Sequence, residues 1–278
     1  MSVIFNQYEE RLHRLNRQPQ TIINYRNSVR PFEQYLRAHR IPAEKVDPVI
    51  MEEYFATLDR GPNTKRTHLT QIGAAYRYAQ RRGLVPADPT VDVRLERIPD
   101  KEPRIIPNDE LREQKARLVT DREWTLWHLL AYGGFRRHEI TELVGENVKL
   151  AEGTITIVGK GGKLRHVPIH PALGEVLAEQ KLEAGVPVLH SGRNYSVIRP
   201  TSNKTFYRIL ADITEGRYAG HDYRRTVASS LYKNGVATDT IDKIMGWSPR
   251  VVRTRYYQNI ADEQLQRAIL KLYADDPI

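Results

Sequence analysis

The chain has 278 residues, 40% of them apolar, enough for one or two hydrophobic cores, and ordinary domain size favours two. It contains no cysteine, which excludes disulfides, thiolate nucleophiles and cysteine-based zinc sites together. Its net charge of +9 attracts polyanions, of which nucleic acid is the commonest, although a plain soluble basic surface would carry the same charge. No run approaches the ~20 consecutive apolar residues of a membrane span. Residues Met1 to Glu10 lack the charged-then-apolar order of a signal peptide, so a cytoplasmic protein with no membrane partner is expected.

The first hundred residues read as helices separated by Pro- and Gly-marked turns. From Thr21 onward, Ile22, Tyr25, Val29, Phe32, Tyr35 and Leu36 recur at three- and four-residue intervals and trace one helix face, with Arg26, Arg30, Arg37 and Arg40 largely off it. After Gly61-Pro62 a second helix, with Asn63 or Thr64 as N-cap, runs through Leu69, Ile72, Ala75, Tyr76 and Ala79 to a C-cap at Gly83. Lys65, Arg66, Arg77, Arg81 and Arg82 decorate that helix and suit an element lying along a phosphate backbone; a solvated basic face is the plainer alternative. Residues 94–106 are Pro-rich, charged and aperiodic. They read as a linker between a helical domain of residues 1–93 and a second domain of residues 107–278.

Beyond the linker, Asp109 to Val119 and Thr120 to Tyr132 are expected to be helical. Thr154 to Val158 alternates and is β-branched, Gly159-Lys160-Gly161-Gly162-Lys163 interrupts it, and Leu164 to Ile169 resumes, which predicts a hairpin with lysines at its tip. Helical patterns return at Ala172 to Ala184, Asn203 to Thr214, Asp222 to Asn234, Ala237 to Met245, Pro249 to Tyr257 and Asp262 to Tyr273. The expected fold class is mainly α with a small β-sheet or hairpin in the C-terminal domain.

Five short stretches carry side chains suited to holding and attacking a phosphate. Arg136 follows the Gly133-Gly134 turn at a helix start, where a planar guanidinium can hold two phosphate oxygens at once. Lys160 stands between glycines that permit close approach to a strand and leave the ammonium free as a proton donor. No Lys-Ser or Lys-Thr pair follows at P-loop spacing. His221 and Arg224 lie three apart and project from one side of a first helical turn. Met245-Gly246-Trp247-Ser248 closes one helix, and Arg253 to Gln258 presents Tyr256. Taken singly, each has an ordinary reading: surface arginine, exposed turn, structural histidine, core aromatic.

Together, Gly-Phe-Arg136-x-x-Glu139, Gly-Lys160-Gly-x-Lys-x-Arg before a second strand, His221-x-x-Arg224, and Met-Gly-Trp247 followed nine residues later by Tyr256 resemble the signature of the tyrosine recombinase (phage integrase) family. The N-terminal segment is similar to that family's core-binding domain through Thr21, Tyr25 and the run Gly83-Leu84-Val85 to Asp88-Pro89. The resemblance implies that Arg136 and Arg224 clamp the scissile phosphate and that Lys160 protonates the departing 5′ oxygen. It further implies that His221 assists proton transfer from the nucleophile, that Trp247 donates its indole N–H to a phosphate oxygen, and that Tyr256 forms a 3′-phosphotyrosine. Glu139 would support the site by accepting hydrogen bonds, and no metal or cofactor is implied. A free tyrosine is only about 0.1% ionised at neutral pH, so cations and a base must activate it.

The sequence departs from the usual pattern at Trp247, where many members carry histidine, and at Arg225, which replaces a common histidine. Tyr257 beside Tyr256 leaves a second candidate nucleophile, and the nine-residue interval favours Tyr256. The expected partners are double-stranded recombination sites, further copies of the chain in a tetramer on DNA, with the last helix exchanged between protomers, and accessory DNA-bending or directionality proteins. A non-cleaving architectural or regulatory DNA binder and a type IB topoisomerase-like enzyme remain as alternatives.

Overall fold

The computed structural model describes residues 2–98, 102–159, 164–180, 182–190, 200–247 and 261–278. The chain divides into two compact units, Met1–Lys101 and Glu102–Ile278.

The first unit contains helices α1 (Val3–Arg14), α2 (Pro19–Ala38), α3 (Pro48–Thr57) and α4 (Pro62–Arg81). The stripe on α2 does what its spacing requires: Ile22, Tyr25, Val29, Phe32 and Leu36 are buried. They meet α4 in a core built on aromatic rings, with Phe5 edge-on to Tyr76 at 5.6 Å and Phe32 against Tyr54 at 4.8 Å. Two of its buried tyrosines have their polar ends satisfied: Tyr25 Oη donates to the Phe5 carbonyl at 3.0 Å and Tyr76 Oη to that of Ala43 at 2.9 Å. Helix α4 starts earlier than Asn63 or Thr64 suggested. Gly61 is its N-cap and Pro62 its first residue, the position where a missing N–H leaves nothing unsatisfied.

Along α4, Arg66, Arg77 and Arg81 share one exposed stripe, while Lys65 is half-buried on its flank and Arg82 is the C-cap residue. Arg77 also pairs at 3.3 Å with the buried carboxylate of Asp88, which accepts from the Thr90 backbone N–H at 2.9 Å and hydroxyl at 2.7 Å. That cation therefore fixes the turn after α4 as well as contributing charge to the surface.

The second unit has a three-stranded antiparallel sheet of β1 (Val148–Lys149), β2 (Thr154–Val158) and β3 (Leu164–Pro168), in that order. Its described helices are α5 (Asn108–Ala116), α6 (Asp121–Ala131), α7 (Arg137–Thr141), α8 (Pro171–Ala178), α9 (Asn203–Thr214), α10 (Gly220–Lys233), α11 (Thr238–Met245) and α12 (Asp262–Ile269). Helix α6 is central, packed by α8, α9 and α10, with Leu126, Trp127, Leu129 and Leu130 fully buried. Its start is fixed by a capping box, Thr120 Oγ1 accepting from the Glu123 N–H and Glu123 Oε2 from the Thr120 N–H. In the sheet, Ile155 faces Val167 and Ile157 faces Arg165 on the inward side. Leu265, Ala268, Ile269, Leu272 and Tyr273 are covered by their own unit, α12 lying on β3 and α11. Docking of this segment on a neighbouring protomer therefore requires it to leave that position.

Of the described residues in 94–106, Arg94, Glu96, Arg97 and residues 102–105 are exposed, and the two ends join the units. Leu95 packs against the first core, whereas Ile106 is 1% exposed and its N–H donates to Thr226 Oγ1 at 2.8 Å.

A ring column, Trp124–His128–Tyr132–His170, runs beside α6 with near-parallel planes and centroids 5.3, 5.5 and 4.6 Å apart. Burial pushes both imidazoles down to about 4, with the Lys115 charge adding to it and a hydrogen bond to the Trp124 carbonyl opposing it at His128. Both are neutral in the folded chain at pH 5, whereas an unfolded histidine is protonated below about 6.5. Stability is therefore full above about pH 6.5 and declines as the pH falls toward 4, because the unfolded chain takes up protons that the folded one refuses. At pH 5 His128 alone should cost on the order of 2 kcal/mol. Urea unfolding at pH 7 and pH 5 followed by tryptophan fluorescence should show this loss, and H128F should remove part of it; equal midpoints at the two pH values would contradict the assignment.

Candidate active site

Three chain turns converge on one cationic cluster in the second unit. After α6 the chain reverses through Gly133-Gly134, and Gly134, at φ +57°, adopts the left-handed conformation that glycine tolerates best. The turn places Arg136 as the N-cap residue of α7. Arg224 is on α10, one turn after His221, on the same face. Helix α11 ends at Met245, and Gly246, at φ +59°, turns the chain so that the Trp247 N–H reaches back to the Asp242 carbonyl at 2.9 Å.

The two arginines are tied to neighbouring atoms at the end of α11. Arg224 donates from Nη1 to the Gly134 carbonyl at 2.7 Å and from Nη2 to the Met245 carbonyl, while Arg136 Nη2 donates to the next carbonyl, that of Gly246, at 3.2 Å. The carbonyl end of a helix carries partial negative charge, so it is a natural anchor for cations. Arg224 is 1% exposed and lies beneath the indole of Trp247, its Cζ 5.6 Å from the ring centroid. Its Nε is buried without a hydrogen-bond partner among the described residues. Arg136 is more open, with 31% of its side chain exposed.

Behind them stands Glu139, whose side chain is fully buried. It accepts from the Arg136 backbone N–H and Nη1, both at 2.8 Å, and from Arg165 Nη1 and Nη2 at 2.8 and 2.9 Å. Burial works to raise its pKa, but the hydrogen bonds and charge of Arg165, followed by the bonds from Arg136, outweigh it and hold the carboxyl at about 2. Arg224 moves the opposite way: burial first, then repulsion from Arg136, push it down to about 9, with Glu139 opposing and Arg165 adding to the repulsion. It stays charged at neutral pH, and an incoming anion would relieve the cation–cation repulsion. The exposed His221 ring lies below its usual range, through partial desolvation and then the charges of Arg225, Arg224 and Arg136, with Asp222 opposing. At neutral pH it is a neutral imidazole, able to accept a proton.

The fold thus gathers Arg136, Glu139, His221, Arg224 and Trp247 from α7, α10 and the end of α11. Lys160, Tyr256 and Tyr257 lie outside the described residues. Lys65, Arg66, Arg77, Arg81 and Arg82 belong to the other unit. Arg165 has no assigned role in the sequence reading, yet β3 alternates Leu164 out, Arg165 in, His166 out and Val167 in. An arginine at an inward strand position must find a buried counter-charge, and that alternation, with the place of Arg165 at the end of the Gly-Lys160-Gly-x-Lys-x-Arg motif, was the available signal.

A helical first unit followed by a helix-rich unit with a small sheet, carrying two arginines, an imidazole and an indole in one cluster, defines the integrase type of DNA strand-transfer protein. Residues 104–264 match the Phage integrase family and residues 2–94 the Phage integrase SAM-like domain. The chain belongs to the phage integrase family, that of the tyrosine recombinases. It is similar to the tyrosine recombinase XerD of Haemophilus influenzae, 25% identical over 270 residues and covering 89% of each chain. Against XerD of Pseudomonas aeruginosa the identity is 26% over 262 residues, covering 87% of each. Among solved structures, a lambda integrase tetramer bound to a Holliday junction superposes with a TM-score of 0.71 at 17% identity, over 90% of this chain and 77% of that one. XerH bound to its difH substrate gives a TM-score of 0.65 at 17% identity, over 88% and 78%. At such identities the structural likeness speaks for the fold.

Proposed function

We propose that the chain is a site-specific DNA recombinase that cuts and rejoins DNA through a 3′-phosphotyrosine on Tyr256. The observation that carries this reading is the joint anchoring of Arg136 and Arg224 on the consecutive carbonyls of Met245 and Gly246, directly before Trp247. Two guanidiniums anchored on adjacent carbonyls support a reading in which one phosphate meets both, and the family membership supplies the reaction class.

In the proposed step the Tyr256 phenol oxygen attacks phosphorus, the bond to the 5′ oxygen breaks, and a covalent 3′-phosphotyrosine remains. His221 takes the phenolic proton, and Lys160 gives a proton to the departing 5′ oxygen. Arg136, Arg224 and the Trp247 indole N–H hold the non-bridging oxygens, whose charge grows in the pentacoordinate transition state. A 5′ hydroxyl from another strand reverses the step, so the phosphodiester energy is conserved and no nucleotide cofactor enters. The α4 stripe of Arg66, Arg77 and Arg81 is read as phosphate-contacting, with Lys65 and Arg82 at its margins. By extension from its structural relatives, the working form is a tetramer on paired cytoplasmic DNA sites, joined where needed by DNA-bending or directionality proteins.

The test is to incubate the purified protein with sheared genomic DNA of its source, denature, recover protein-linked fragments and sequence them. Enrichment of one short site with protein on the 3′ phosphate is the expected result. Tight binding without any covalent product would identify a non-cleaving DNA binder instead, and relaxation of supercoiled DNA at arbitrary sequence would indicate a topoisomerase-like enzyme.

A further inference from the structure

The geometry points to Arg165 as a positioning residue for Arg136: by occupying both oxygens of Glu139 it leaves Arg136 only one guanidinium bond to that carboxylate and so keeps the rest of the Arg136 fork available to a phosphate. This inference rests on the proposed strand-cleavage reading.

A carboxylate offers about four lone-pair positions, and those of Glu139 are all taken. Arg165 contributes two bonds, at 2.8 and 2.9 Å, and Arg136 contributes one from its backbone N–H and one from Nη1, both at 2.8 Å. Two arginines thus compete for one buried anion. Isolated arginine–carboxylate pairs favour the two-pronged arrangement. Were Arg165 removed, the freed oxygens of Glu139 would draw a second Arg136 N–H inward, away from the Gly246 carbonyl that now holds Nη2 at 3.2 Å.

The placement of Arg165 is costly in itself. Its side chain is 13% exposed, in line with the buried Ile157 across the hairpin, and its Nε is buried without a partner among the described residues. Its stem lies so close to Gly246 that a Cβ there would stand 2.9 Å from Arg165 Cδ and Nε. Arg165 therefore bridges three elements: β3, the strand that follows Lys160 in sequence; α7 through Glu139; and the end of α11, where Arg136 and Arg224 are both anchored.

The test uses full-length protein and a nicked duplex of the site recovered from the wild-type adduct. R165M keeps the aliphatic stem against Gly246 and removes the fork, whereas R165K keeps the charge and can make only one of the two bonds. Single-turnover cleavage by R165M should fall roughly 100-fold, the scale on which small misplacements of reacting groups act. R165K should recover only a small part of that loss, with the affinity of either variant for the uncleaved duplex within about three-fold of wild type. A second duplex carries a methylphosphonate at the scissile position, where the non-bridging charge that calls for Arg136 is gone. On it, R165M and wild type should cleave at similar rates. An equal loss on both duplexes would mean a merely structural defect, and wild-type cleavage of the phosphate duplex by R165M would mean no role; either result overturns the inference. Absence of any adduct from the wild-type protein would instead overturn the proposed function.

Discussion

Replacing Arg224 with alanine should slow covalent capture of DNA by roughly 10³-fold or more, the range seen when a preorganised donor or arginine is withdrawn from a charge-developing transition state. The reason lies in how the residue is held. It is 1% exposed, bound at both Nη atoms by the carbonyls of Gly134 and Met245, and depressed to about 9 by burial and by Arg136. Folding has thus already met the cost of desolvating this cation, and a phosphate arriving there meets a fixed positive charge with little solvent left to rearrange. Alanine would also strand the two carbonyls, at about 1–3 kcal/mol each, offset in part by relief from a buried charge. R224K separates the two effects, since it keeps a cation but cannot reach both carbonyls as a planar fork does. It should restore stability better than activity. The measurements are single-turnover adduct formation and urea midpoints for both variants. Adduct formation by R224K at the wild-type rate would show that charge alone suffices and that the fork is not required.

What the sequence disclosed of the fold follows the strength of each periodic signal. The α2 stripe, the Asn203–Thr214 helix and the helix expected over Thr120 to Tyr132 were all readable, because each depends on residues within one or two turns of each other. The helix expected over Ala172 to Ala184 stops at Ala178, and the one expected to reach Tyr273 ends at Ile269. In both, apolar residues continue the pattern past the end; Leu272 and Tyr273 remain buried without being helical. Strand β1, two residues long, is below any periodic signal and exists because Val148 pairs with Ile155.

The site divides in the same way. Arg136, His221, Arg224 and Trp247 could be named from short motifs, because their spacing places them at helix starts and ends. Their anchoring could not: the Met245 and Gly246 carbonyls that hold the arginines are backbone atoms more than a hundred residues from Arg136. The pairing of Arg165 with Glu139 likewise joins β3 to α7 across 26 positions and depends on the strand register. Residues that act through others are visible only once the chain is folded.

Y256F should abolish the covalent adduct outright, whereas Y257F should leave its rate within a few-fold of wild type. The effect is the largest expected, since in the proposed step the Tyr256 phenol oxygen is the atom that forms the bond to phosphorus. Four buried tyrosines are unsuited to the role by their own contacts. Tyr25, Tyr76 and Tyr273 each donate their hydroxyl to a backbone carbonyl, Tyr223 donates to Gln114, and burial raises the pKa of all four. A hydroxyl whose ionisation is suppressed and whose proton is held in a hydrogen bond to a buried oxygen is a poor nucleophile. Tyr232 is exposed but follows Arg224 by eight helical residues on α10, about 12 Å further along the axis. The nine-residue step from Trp247 to Tyr256 matches the interval of the family's signature, which favours the first tyrosine of the pair. Mass spectrometry of the peptide left on DNA after proteolysis gives the decision. A phosphodeoxynucleotide on Tyr257, together with an adduct surviving in Y256F, would move the nucleophile by one residue while leaving the arginine pocket as it stands.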